Sequence, residues 1–241
     1  MKFDGILFDL DGTLLPMDND RFTMGYLHCL SLAVAHLGYT EETLVPAMWK
    51  GVRSMVLNDG SRPNEEAFWE TFSGILGSQC YDHIPYFDDF YRNGFHQCVE
   101  FTSPAPELAA RAVALAQSKA PAVVLATNPM FPRVAVEARL GWAGVAPEDF
   151  CLITDYSNSG TCKPNPAYYG EITAKLGLDP SRCLMIGNNG EEDIAAAQAA
   201  GLSTFLLDDC LITKGEIPPT PRGGFDPLFA FLEKLEDSRS R

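Results

Sequence analysis

The chain has 241 residues, 46% of them hydrophobic, and carries 18 Lys and Arg against 32 Asp and Glu for a net charge of −14. Such a composition suits a soluble globular core with a modest second unit. The acidic balance repels phosphate backbones and anionic lipid surfaces, so nucleic acid and membrane partners are not expected, while a local cationic pocket can still take a small anion.

Residues 3–8 are an apolar run that ends in Asp9-Leu10-Asp11-Gly12-Thr13. A short apolar run closed by a Gly-containing turn predicts a central strand of a parallel sheet, whose carboxyl end is where open α/β folds bind ligands. Two carboxylates two residues apart leave that strand on one side and repel unless a cation or a shared proton intervenes. Asp and Gly are also ordinary turn residues, so the motif taken alone would mean a turn. Residues 17–100 place aromatic and apolar side chains at helical spacing and predict a helical insertion, with the core made of residues 1–16 and 101–241. Leu15-Pro16 and the Thr102-Ser103-Pro104-Ala105-Pro106 stretch are stiff connections at its two edges.

Beyond the insertion, strands and helices alternate, which predicts right-handed crossovers and a doubly wound parallel sheet. A helix is expected over 107–119, with Ser103 as a candidate cap, and a strand over 121–126 with Thr127 at its tip. Asn165-Pro166 reads as a helix start that Gly177 stops. A strand over 183–186 runs into Gly187-Asn188-Asn189-Gly190-Glu191-Glu192-Asp193, followed by an Ala-rich helix closed by Gly201 and a further strand over 202–207. Asp226-Pro227 opens a last helix, and 237–241 reads as a frayed tail.

The ordered series of Asp9 and Asp11, Thr127-Asn128, Lys163-Pro164 and the 187–193 loop resembles the haloacid dehalogenase-like hydrolase superfamily. That resemblance implies an α/β core with a helical cap inserted after the first strand. It implies Asp9 as a nucleophile toward phosphorus, and Asp11 as acid to the leaving oxygen and then base toward water. Dehalogenating branches lack the second acid and transport ATPases carry Thr there, so Asp11 points to a phosphatase or a phosphomutase. Thr127, Asn128 and Lys163 would hold phosphoryl oxygens, because charge spreads over those atoms in the transition state. The implied cofactor is Mg²⁺, with Asp9, Asp11, Asn189 and Asp193 as metal residues and a small phosphorylated metabolite as partner. The family usually has Asp where Asn189 stands, so one charge is missing and weaker metal binding is expected. Glu191 and Glu192 are explained equally by the positive end of a helix dipole. The alternatives are a mutase of the β-phosphoglucomutase type and a binding protein that has lost metal at Asn189.

Within the insertion, Trp49-Lys50-Gly51-Val52-Arg53 is similar to the substrate-specificity loop of such caps, which makes Lys50 and Arg53 candidate substrate-binding residues; a solvated helix edge explains them as well. His28, His36, His83 and His96 lack metal spacing and read as structural. The seven cysteines have no Cys-x-x-Cys spacing and are expected to be free thiols, Cys162 beside Lys163 included. With no apolar leader and no run near 18 apolar residues, a reducing, cytoplasmic setting is expected.

Overall fold

The computed structural model describes residues 1–237, so the tail expected over 238–241 lies outside the described residues. In chain order it contains β1 (Gly5–Phe8), then four helices, α1 (Asn19–Val34), α2 (Glu41–Val56), α3 (Asn64–Leu76) and α4 (Cys80–Asp89). There follow α5 (Pro106–Lys119), β2 (Ala122–Leu125), α6 (Arg133–Ala143), β3 (Leu152–Ile153), α7 (Ala167–Leu176) and β4 (Cys183–Gly187). The chain continues through α8 (Ala196–Ala199), β5 (Ser203–Leu207), β6 (Arg222–Gly223) and α9 (Phe225–Glu233). Irregular turns link α4 to α5, one with wide π-type pairing over Phe90–Gly94 and one 3₁₀ turn over Phe95–Phe101.

The six strands form one parallel sheet in the order β3-β2-β1-β4-β5-β6. Ile6 and Phe8 point into the larger apolar cluster and Leu7 into the smaller one, so β1 is covered on both faces. This is why its sequence is continuously apolar rather than alternating. The chain leaves β1 toward β2 and β3, then crosses back to β4, making the β1/β4 crevice the topological switch point at which doubly wound sheets take ligands. Phe8 pairs with Leu125 on one side and Ile186 on the other, which aligns the ends of β1, β2 and β4.

The helical block joins the sheet through two antiparallel connections. Met17 bridges Thr102, and Ser103 N–H donates to the Pro16 carbonyl at 2.8 Å. The block is also bolted down at the start of α3, where Asn64 and Glu65 donate backbone N–H to the Ser159 and Tyr156 carbonyls, each at 2.9 Å. The fully buried Asn64 carboxamide reaches the Pro129 carbonyl at 3.2 Å. Expectation and structure differ at α5, which starts on Pro106 at its first turn with no side-chain cap, leaving Ser103 in the hinge pairing.

Gly51 lies inside α2 rather than on a turn. A Cβ there would sit 2.5 Å from the Phe68 ring of α3, so the missing side chain is what lets the two helices approach. Gly51→Val is expected to lower stability by about 1–3 kcal/mol through overpacking, read as a shifted denaturant midpoint; an unshifted midpoint would refute this account of the α2–α3 contact.

Candidate active site

Asp9 follows β1, Thr127 comes two residues after β2, and Asn188 follows Gly187 at the end of β4, so strand register brings the three together. Gly12 holds a left-handed conformation (φ 82°), and a Cβ on it would fall 2.2 Å from the Asn188 amide nitrogen. Only glycine lets the turn after Asp11 press against the β4 loop there.

At the centre lies a buried ion cluster. Lys163 Nζ donates to Asp9 Oδ1 at 2.8 Å and to Asp193 Oδ1 at 2.6 Å, and Lys163 and Asp193 are each 1% exposed. The Tyr168 ring lies beside the ammonium, its centroid 5.8 Å from Nζ, and packs in turn on Tyr169. Burial pulls the Lys163 pKa down, but the Asp193 and Asp9 carboxylates more than offset this and hold it well above its ordinary value. Asp193 is itself pushed up, first by burial and then by the Asp9 charge, against the pull of Lys163. The two directions agree, since two carboxylates share one ammonium and the surplus negative charge needs a proton or a cation.

Asp11 is also raised, mainly by burial, with the Asp9 charge adding to it and Arg139 opposing it. Arg139 Nη1 makes a close ion pair with Asp11 Oδ2, while Asp11 Oδ1 is buried without a hydrogen-bond partner. Arg139 is fully buried, stacked 4.3 Å from the Phe131 ring centroid and tied to the Ala135 carbonyl of its own helix.

Thr127 is buried beside Asp9's strand and borders the cavity; its carbonyl accepts from the Thr154 and Tyr168 hydroxyls at 2.7 and 2.8 Å. Asn128 donates through Nδ2 to Glu192 Oε2 at 3.0 Å and accepts from Lys163 N–H at 3.3 Å, which ties the second loop to the third and the fourth.

The fourth loop divides the work between its two asparagines. Asn188 is 1% exposed and its Oδ1 accepts from the Thr13 hydroxyl at 3.1 Å, the same hydroxyl that lies 3.4 Å from Asp9 Oδ2. Asn189 instead caps the following turn, its Oδ1 accepting from Glu191 and Glu192 N–H, each at 3.1 Å. That turn is wide over Gly190–Ala195, with Ile194 N–H reaching Asn189 O, where the sequence predicts a plain α-helix. Asn189→Ala is expected to cost about 1 kcal/mol as a lost cap and to leave a titration of turnover against Mg²⁺ unchanged; a changed titration would show that the capping account is incomplete.

Glu191 accepts from the Lys214 backbone N–H at 2.7 Å and stays ionised by that bond first, whereas Glu192 is raised by burial near the Asp9 cluster. Both Asp193 oxygens are engaged, one by Lys163 and one by Asn189 N–H at 3.0 Å. Among the described residues no group of three or more His, Cys, Asp or Glu is arranged to hold a metal ion. The oxygens on offer to a hard cation are therefore Asp9 Oδ2, the unpartnered Asp11 Oδ1 and the Asn188 amide, a set that fits Mg²⁺ in donor type with one charge fewer than three carboxylates would supply.

Above this cluster a cavity of about 770 Å³ separates the sheet from the helical block. Trp49 and Val52 line it, three residues apart on one face of α2. Lys50 lies across the helix from Val52, whereas Arg53 stands one turn on from Trp49 at the edge of that face; both are exposed and outside the lining. Neither contributes a cation to the cavity wall, and by helical periodicity Arg53 is the nearer of the two to it. Tyr156 borders the cavity, while Asp155 is a turn residue accepting from Ser157 N–H and hydroxyl. Burial pushes the Cys162 thiol up to about 12, which leaves it no role as a nucleophile at neutral pH; all seven cysteines are unpaired.

Arg139, Asn64, Asn188 and the two tyrosines stand outside the residues picked from sequence. Arg139 did leave a signal, since it occupies the apolar stripe Ala135, Val136, Leu140 and Ala143 of α6, where a cation requires a buried partner.

A family model for haloacid dehalogenase-like hydrolases matches residues 3–201. The chain belongs to that family. A phosphoglycolate phosphatase of Neisseria gonorrhoeae is 27% identical over 242 residues, covering 98% of this chain and 94% of its own. Pyrophosphatase PpaX of Bacillus velezensis is 27% identical over 203 residues, 84% of this chain and 82% of its own. Among solved structures, a 2-haloacid dehalogenase from Pseudomonas syringae superposes with a TM-score of 0.65 at 18% identity, covering 96% and 99% of the two chains. The magnesium-bound hydrolase YfnB from Bacillus subtilis superposes at 0.59 and 20% identity, covering 97% and 100%. These structures share the fold of this family member. No helix among the described residues is long and apolar enough to cross a membrane.

Proposed function

We propose that the protein hydrolyses a small phosphomonoester through an aspartyl-phosphate on Asp9. The observation that supports this reading is Asp11: a second carboxyl beside Asp9, raised by burial, with one oxygen free of any partner. A raised carboxyl can hold a proton for the leaving group, and its free oxygen can deliver it. The phosphatase and pyrophosphatase names of the curated relatives support phosphate ester chemistry as the class. The dehalogenase superposition carries the fold alone, and the second acid argues for phosphate rather than halide as the leaving chemistry.

In the first step an Asp9 oxygen bonds to phosphorus as the ester P–O bond breaks, and Asp11 gives its proton to the departing alkoxide. In the second, Asp11 takes a proton from water, water oxygen bonds to phosphorus, and the P–O bond to Asp9 breaks to release phosphate. Thr127, which borders the cavity, and Lys163, whose ammonium contacts Asp9, would meet charge on the phosphoryl oxygens, and Asp193 would position that ammonium. Mg²⁺ held by Asp9 and Asn188 would supply the positive charge that the cluster lacks. The helical insertion, docked at Asn64, acts as a cap that keeps bulk water from the phosphoenzyme.

The test is turnover of p-nitrophenyl phosphate with Mg²⁺, its loss to a chelator, and acid quenching with a radiolabelled ester. Label on the protein that hydroxylamine releases is the expected result. Turnover with no such label at any time point would eliminate the Asp9 intermediate.

A further inference from the structure

The cavity wall contributed by the helical block is apolar and aromatic, and this bears on which alcohol the phosphate is carried by. Phe22 and Tyr26 come from α1, Met48 and Val52 from α2, and Trp69 from α3, with Phe131 facing them from the core. Tyr26 packs against Phe131 with centroids 5.2 Å apart. Tyr26 and Tyr91 both line the cavity, and their hydroxyls bond to each other at 2.5 Å, one donating to the other. Asn19, also in the lining, has a buried Oδ1 with no hydrogen-bond partner.

Charge tells the same story. Among the described lining residues the only cation is Lys214, on the core loop after β5 beside Glu191. On the helical block the charged lining groups are carboxylates, Asp20 and Asp88. The buried Lys163 is already shared by Asp9 and Asp193, and Arg139 is committed to Asp11. A second anionic group lodged against the helical block, away from Lys214, would therefore meet rings and carboxylates, unpaired and desolvated, which is costly. A flat apolar group would be buried there with gain.

We infer that the preferred substrate is the phosphomonoester of a neutral, ring-bearing alcohol, and that esters with a second anionic group, phosphoglycolate among them, are disfavoured. The inference rests on the phosphatase reading for its chemistry, but its recognition part stands on the cavity alone. One hydrogen-bond donor on the ring system would satisfy Asn19.

Two measurements on the full chain test it. The first compares kcat/KM for naphthyl phosphate, phenyl phosphate and phosphoglycolate at saturating Mg²⁺. The expected order falls in that sequence, with naphthyl phosphate at least about tenfold above phosphoglycolate, the ratio that about 1.4 kcal/mol of differential binding provides. An equal or higher value for phosphoglycolate overturns the inference. The second measures binding of naphthol by quenching of tryptophan fluorescence, since Trp49 and Trp69 line the wall. Saturable quenching with no turnover of any ester would uphold the cavity assignment and defeat the phosphatase reading. Turnover with no naphthol binding would do the reverse. In Val52→Lys, which places an ammonium in the wall, KM for phosphoglycolate is expected to fall and KM for naphthyl phosphate to rise; the wild-type comparison decides the matter if this variant does not fold.

Discussion

Asp9→Asn is expected to abolish phosphatase turnover, by on the order of 10⁴-fold or more, while leaving the folded protein at least as stable as the parent. The catalytic loss follows because an amide oxygen is a poor nucleophile and no neighbouring carboxylate stands at the end of β1 to replace it: Asp11 is held by Arg139, and Asp193 by Lys163 and Asn189 N–H. The stability side follows from the charge count of the cluster, in which two buried carboxylates share one ammonium and the Asp9 charge helps push Asp193 up. Removing one negative charge relieves that repulsion, and the Asn oxygen can still accept from Lys163. Steady-state kinetics with p-nitrophenyl phosphate and a thermal melt check both halves. Retained turnover within tenfold of the parent would sink the mechanism, and a large fall in melting temperature would show that Asp9 is needed for folding as well as chemistry.

Lys163→Met is expected to damage the fold as well as the reaction. The ammonium is 1% exposed and is the cation that both Asp9 and Asp193 contact. Its removal leaves two carboxylates in a buried site beside Tyr168, and breaking a buried pair from one side costs about 3–5 kcal/mol. For a chain of this length that corresponds to a drop of roughly 10 °C in melting temperature. The carboxylates would respond by binding protons, so the deficit should be smaller at acid pH than at neutral pH. Adding Asp193→Asn to Lys163→Met should recover part of the loss, because it deletes one of the stranded charges, so the double variant should lose less stability than the sum of the two single losses. Strict additivity in that cycle would argue that the three groups do not act as one unit.

Both expectations concern residues that are conspicuous in the sequence. Asp9 and Asp11 stand out because an apolar run ending in two acids is costly unless the acids have a task, and Lys163 through the family resemblance, just ahead of a clear helix start where Asn165 Oδ1 accepts from Ala167 N–H at 3.0 Å. Alternation of apolar runs and amphipathic segments is enough to specify a parallel sheet, since a strand covered on both faces has no polar side to show. The insertion is legible as helical from its aromatic spacing.

Other features are not legible, for reasons that are geometric. Asn188 and Asn189 are adjacent and chemically identical, and sequence alone favours the second as the metal-facing residue. In the folded chain Asn188 meets Thr13 and the Gly12 turn, while Asn189 turns away to cap Glu191 and Glu192. Lys50 and Arg53 look suited to an anion because Gly51 suggests a turn. Gly51 is instead a helical contact with Phe68, and the continuous helix carries both cations to solvent. Asn64 is joined to Pro129 and Arg139 to Asp11 across 65 and 128 residues of chain, separations over which no local pattern reports.

Composition and local pattern by themselves determined the sheet, the helical insertion and the acid pair at the first strand end, because periodicity and the cost of burying charge act over a few residues at a time; Lys163, which meets Asp9 across 154 residues, stood out only through the family resemblance. Tertiary structure alone decided which asparagine meets Thr13 and which caps the following turn, that Arg139 restrains Asp11, and that the helical block lines the cleft with rings rather than cations. Those outcomes depend on how separate segments pack at close range, where a rotation of one helical step exchanges a charged wall for an apolar one.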